Sequence, residues 1–115
     1  MLTNQELLTK TYQAFNARDI ETVLAVMHPE VVWPNGMEGG YVYGHQGIRD
    51  YWIRQWQLIN PHVEPQAFTP TDGGRIVIQV HQVVRDLAGH LLADEQVQHT
   101  YSIEEGLIVR MEISK

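Results

Sequence analysis

The chain has 115 residues, 43% of them hydrophobic, enough for one core and too few for two ordinary domains. Eight lysines and arginines against fourteen acidic residues give a formal charge of −6; that sign repels phosphate backbones, and the basic residues are scattered, so nucleic acid is set aside as a partner. With no cysteine in the chain, thiolate catalysis, zinc–thiolate centres and cysteine-ligated clusters are excluded.

Met1-Leu2-Thr3-Asn4-Gln5-Glu6 has neither a basic nor an apolar leader segment, and no apolar run approaches membrane-spanning length. A cytoplasmic protein with no membrane partner is therefore expected. A first helix begins near Thr3, where Thr3 and Glu6 have the spacing of a capping box. Leu8, Tyr12 and Phe15, with Leu7 beside them, form its apolar face. Asn16-Ala17-Arg18-Asp19 breaks that helix, and Asp19 can cap a short second one. Its face is Ile20, Val23, Leu24 and Met27, and His28-Pro29 ends it. Val31-Val32-Trp33 reads as a strand stopped at Pro34, and Tyr41-Val42-Tyr43 as a short strand within a glycine-rich stretch.

Helical spacing returns from His45 or Gln46 to Ile59. Ile48, Trp52, Gln55 and Ile59 share one narrow face, flanked by Tyr51 and Trp56, which leaves Gln55 as an amide in an apolar stripe. Residues 60–73, with three prolines and an Asp72-Gly73 turn, read as a connection. Three strands follow. Arg75 to Arg85 alternates, with Ile76, Ile78, Val80 and Val84 inward, and Asp86–Gly89 makes a hairpin. From about Leu92 to Ile103 the bulky Val97, His99, Tyr101 and Ile103 oppose a polar face of Gln96, Gln98, Thr100 and Ser102. Glu104-Glu105-Gly106 turns the chain, and a last strand places Leu107, Val109, Met111 and Ile113 inward. Helices first and strands after give a single α+β domain over 1–115: a cone-shaped, curved antiparallel sheet with three N-terminal helices on its concave face.

This order, with Tyr12-Gln13-Ala14-Phe15-Asn16-Ala17-Arg18-Asp19, His28-Pro29-Glu30-Val31-Val32-Trp33, Gly44-His45-Gln46-Gly47-Ile48-Arg49 and Glu105-Gly106-Leu107-Ile108-Val109, resembles the nuclear transport factor 2-like superfamily. That superfamily includes SnoaL-like polyketide cyclases, ketosteroid isomerases, limonene epoxide hydrolases and scytalone dehydratases. The resemblance implies a pocket between helices and sheet and a cofactor-independent isomerase, dehydratase, cyclase or hydrolase. The ketosteroid isomerase pattern does not carry over. Its general-base aspartate falls at Trp33, its oxyanion-hole tyrosine at Thr11 with Tyr12 adjacent but turned away, and its inward strand acid at His99. The other enzymes of the superfamily use inward Asp/His or Asp/Arg groups; the inward positions here hold no aspartate, and Glu95, near a strand end, is the one inward acid.

His99, between Val97 and Tyr101 on the core face, is the candidate catalytic residue, since a buried neutral imidazole can exchange a proton near neutral pH. The alternative is a core histidine satisfied by Tyr101 or Gln55. Tyr101 and Gln55 complete a polar cluster with it and would orient a substrate. Trp33, Trp52 and Trp56 form aromatic walls that exclude water, and Tyr12, Phe15 and Met111 join the candidate lining for an apolar or aromatic small molecule. Asn35 beside Gly36 fits a turn. The six histidines show no helical pair with an acidic partner, so no metal and no cofactor are expected, and His28 reads as a cation at a helix C-terminus. A second reading is a non-catalytic dimerisation module. A homodimer suits both readings, through the exposed sheet face of Val77, Gln79, His81, Val83, Gln98 and Thr100.

Overall fold

Thr3 caps the first helix. In the computed structural model, which describes residues 3–114, its hydroxyl accepts from the Glu6 N–H at 3.1 Å while the Glu6 carboxylate accepts from the Thr3 N–H at 3.0 Å. Met1 and Leu2, part of the segment read as leaderless, lie outside the described residues. Helix α1 (Asn4–Asn16) buries Leu7, Leu8, Thr11, Tyr12 and Ala14. Arg18, in the left-handed region at φ 63°, turns the chain, and Asp19 caps α2 (Ile20–Leu24).

α2 is shorter than its apolar face suggested. Ala25 and Val26 close it with bonds to Glu21 O and Val23 O, and Val26 O then accepts from Ile108 N. That bond commits the following residues to a strand, so Met27, His28 and Pro29 open β1 (Met27–Pro34) rather than ending a helix. His28 is therefore no helix-terminal cation; its Nδ1 accepts from the Glu30 N–H at 3.0 Å. β2 (Tyr41–Tyr43) leads into α3 (Gly44–Trp56). α3 stops one turn before the expected end, because Gln57 and Leu58 bond back only three residues, to Arg54 and Gln55. Ile59 begins β3.

β3 (Ile59–Pro70) occupies the stretch read as a connection. It is an edge strand, where prolines are tolerated because their missing N–H can face outward. Its register against β4 (Arg75–Asp86) runs from Ile59–Asp86 to Pro70–Ile76 with a shift between Pro65 and Ala67. Asn16 at the end of α1 ties it down: the side-chain amide donates to Val63 O at 2.8 Å and accepts from Val63 N at 3.0 Å. β5 (Leu91–Glu104) and β6 (Leu107–Ser114) complete the sheet.

The strand order is β2-β1-β6-β5-β4-β3. Neighbours are antiparallel except β1 and β6, which are parallel. The fold is thus α+β, a curved open sheet carrying helices. Parity on β4 and β5 is as the alternation required, with Ile76, Ile78, Val80 and Val84 buried opposite Val97, His99 and Tyr101. On β6 it holds only past a bulge. The register skips Val109 between the pairs Ser102–Arg110 and Ile103–Ile108, which turns Ile108 inward in place of Leu107 and Val109, both only half-buried. Met111 and Ile113, opposite Tyr101 and His99, keep the expected side and line the cavity, with Ile113 at its exposed edge. Val77, Gln79, His81, Val83, Gln98 and Thr100 fall on the opposite side of the sheet, where His81 meets Asp94 at 2.6 Å.

Candidate functional site

A cavity of about 250 Å³ opens between the concave sheet and helices α1 and α3. The helix periodicity places Tyr12 and Phe15 of α1 on it, and Trp52, Tyr51 and Gln55 of α3; β1 contributes Trp33, β5 His99 and Tyr101, and β6 Met111. Trp56 is not among the lining residues. It stacks on Trp52 at 5.8 Å, with the Arg18 guanidinium over its ring at 5.1 Å. Among the described residues that line the cavity, none is an aspartate, glutamate, lysine or arginine.

Tyr12 is not turned away. It lies on the same face as Leu8 and Phe15, is 3% exposed, and its hydroxyl lies 2.7 Å from His99 Nδ1. The Tyr101 hydroxyl donates to the Tyr12 hydroxyl at 3.1 Å. The polar cluster is therefore Tyr101, Tyr12 and His99, rather than His99 with Gln55. Gln55 instead donates to the Tyr51 hydroxyl at 3.2 Å, which also accepts from Gly36 N at 3.1 Å. Asn35 is spent on its turn, where its Oδ1 accepts from Met37 and Glu38.

Two polar atoms in this wall have no partner among the described residues: His99 Nε2 and Gln55 Oε1. Burial in the apolar wall lowers the His99 pKa to about 4, so the ring is neutral at pH 7. Burial also pushes both buried phenols, Tyr12 and Tyr101, well up from their ordinary value, so both remain protonated. Around this cluster the aromatic rings interlock. Phe15 meets Trp52 edge-on at 5.3 Å, Trp33 meets Trp52 edge-on at 5.6 Å, and Trp33 meets Tyr101 at 6.1 Å.

Thr11, Tyr51, Val63 and Gln82 also line the cavity and were not singled out as site residues from the sequence. Gln82 was within reach of that reading, because it shares the inward parity of Val80 and Val84 on β4. Val63 was not, since its strand was not recognised. Among the described residues no group of three His, Cys, Asp or Glu side chains has metal-binding geometry, and no helix is long and apolar enough to cross a membrane.

The SnoaL-like domain family model matches residues 8–111, nearly the whole chain. The chain belongs to the SnoaL-like domain family. TerC, in a crystal structure with polyporic acid, is 32% identical over 96% of this SnoaL-like chain and 88% of its own, with a TM-score of 0.83. An NTF2-like protein of unknown function from Burkholderia pseudomallei is 29% identical over 98% and 90%, with a TM-score of 0.85. A Mycobacterium tuberculosis protein in complex with estradiol-17β-hemisuccinate shares the fold at 19% identity over 93% and 88%, TM-score 0.79. No curated protein matches this SnoaL-like sequence. Its membership of the NTF2-like superfamily agrees with the element order read from the sequence.

Proposed function

We propose that this SnoaL-like chain binds an apolar, aromatic small molecule in the cavity between the sheet and helices α1 and α3, with His99 as the polar contact. One observation carries the reading: an imidazole nitrogen buried in an aromatic wall has no partner among the described residues. A buried polar group left unpaired costs about 1–3 kcal/mol, which a ligand group at that position would recover. The co-crystals of TerC with polyporic acid and of the Mycobacterium tuberculosis protein with estradiol-17β-hemisuccinate support a small-molecule role. Binding has more support than any named reaction. Among the described residues no carboxylate lines the cavity to act beside His99, and an imidazole with a pKa of about 4 supplies no cationic acid at neutral pH.

The test is a titration of tryptophan fluorescence with polyporic acid and with estradiol. Saturable quenching is expected from Trp33 and Trp52, with about tenfold weaker affinity in His99→Ala. No quenching and no thermal stabilisation by either compound would overturn the reading.

We also propose that two copies meet through the outer face of β4 and β5. Val77 and Val83 lie there on the side opposite the helices, with His81 between them in the strand. Light scattering should find a dimer that His81→Glu splits; a monomeric wild-type protein would rule this out.

A further inference from the structure

Three hydrogens are available in the buried cluster, one on each of the Tyr101 and Tyr12 hydroxyls and one on the neutral His99 ring. They can be arranged in few ways, and the arrangements differ in how many groups they strand. Suppose first that Tyr101 donates to Tyr12 and Tyr12 donates to Nδ1 of His99. Both phenolic hydrogens are then used, and the ring hydrogen sits on Nε2, the single group left unpaired. Suppose instead that Nδ1 carries the hydrogen and donates to Tyr12. One phenolic hydrogen is then stranded, on Tyr12 or on Tyr101, because neither hydroxyl has another acceptor among the described residues. The Nε2 lone pair is stranded as well. The first arrangement saves one buried unpaired group.

We infer that Tyr12 acts as a positioning residue that holds His99 as an Nε2–H donor, so that the ligand group this cavity takes at His99 is an acceptor, the uncharged carbonyl oxygen of an aromatic ketone. An alcohol or phenol can meet Nε2–H only through its oxygen, which leaves its own hydrogen to find an acceptor elsewhere, whereas a carbonyl oxygen brings no such hydrogen. A carboxylate would accept, but it would lose its hydration in a cavity whose lining has no lysine or arginine. The inference rests on the cavity being a ligand site, as proposed above; the state of the ring does not.

The experiment has two arms. In the first, ligand-free protein labelled with ¹⁵N at histidine reports the His99 tautomer through long-range proton–nitrogen couplings. The wild type should have a bare Nδ1 and a protonated Nε2. Tyr12→Phe, which keeps the ring and removes the hydroxyl, should move both nitrogen shifts toward a tautomer mixture. Tyr101→Phe should leave the assignment in place, because Tyr12 can still donate. A bare Nε2 in the wild type, or no response to Tyr12→Phe, overturns the inference.

The second arm compares benzophenone, diphenylmethane and diphenylacetate by tryptophan quenching. Benzophenone should bind about tenfold more tightly than diphenylmethane, with that margin lost in His99→Phe and with diphenylacetate weakest. Equal affinities for the ketone and the hydrocarbon would sink the carbonyl assignment while leaving aromatic binding intact, and diphenylacetate equal to benzophenone would sink its uncharged character. Silence from all three would remove the binding reading, and the first arm would still decide what Tyr12 does to the ring.

Discussion

His99 is 5% exposed and packed against Tyr12 and Tyr101, and among the described residues no aspartate, glutamate, lysine or arginine lines the cavity to offset its burial. Desolvation alone lowers its pKa from 6.5 to about 4, and that shift is also a statement about folding. Between those two values the unfolded chain holds a proton on this ring and the folded chain does not. Stability therefore rises with pH across the window: its full value is present above about pH 6.5, and it falls as the solution is acidified toward pH 4. At 1.36 kcal/mol per pKa unit the change amounts to about 3 kcal/mol. Urea unfolding of the wild type at pH 7, 5.5 and 4 should show that loss. In His99→Leu this part of the slope should vanish, and an equal slope in both proteins would mean that another group titrates there.

At the scale of elements, one glycine decides how β2 passes into α3. Gly44 has φ 72°, and a Cβ built on it would meet the Pro29 carbonyl oxygen at 3.1 Å. The left-handed region alone costs an ordinary residue about 1–2 kcal/mol, and here the obstructing atom is backbone that cannot swing aside. Gly39, at φ 87°, has open space around it. Gly44→Ala should therefore lower stability by about 2 kcal/mol or more, and Gly39→Ala by less; the two urea midpoints check the order. The sequence signals that succeeded were local ones. The Thr3–Glu6 box, the Asp19 cap and the alternation on β4 and β5 each depend on residues a few positions apart, and all appear as read. Those that failed depend on distant partners. β3 reads as a connection because Pro61, Pro65 and Pro70 are poor strand formers, yet an edge position and the Asn16 amide make it a strand. The β6 bulge at Val109 leaves no mark in an alternating sequence. Tyr12 is read as turned away only in the comparison with the ketosteroid isomerase tyrosine; its own wheel, shared with Leu8 and Phe15, puts it in the lining, and the pairing with His99 lies beyond what a wheel can show.

Across the whole molecule, Trp52 links the parts. It meets Phe15 of α1, Trp33 of β1 and Trp56 of its own helix, all within 6 Å between ring centres, and it is 1% exposed. The layers are thus joined through one side chain that also forms a wall of the cavity. Truncating a fully buried tryptophan costs about 3–5 kcal/mol, a large share of the roughly 5–15 kcal/mol that holds a domain folded. Trp56 is half-buried, behind that wall and under Arg18, so its loss removes less apolar contact and no cavity surface. Trp52→Ala should lower the urea midpoint by an amount in the larger range and weaken polyporic acid binding. Trp56→Ala should cost less than half as much stability and leave binding within twofold of wild type. Equal losses of binding in the two variants would mean that the wall does not end at Trp52, and that Trp56 reaches the ligand through a rearrangement of α3.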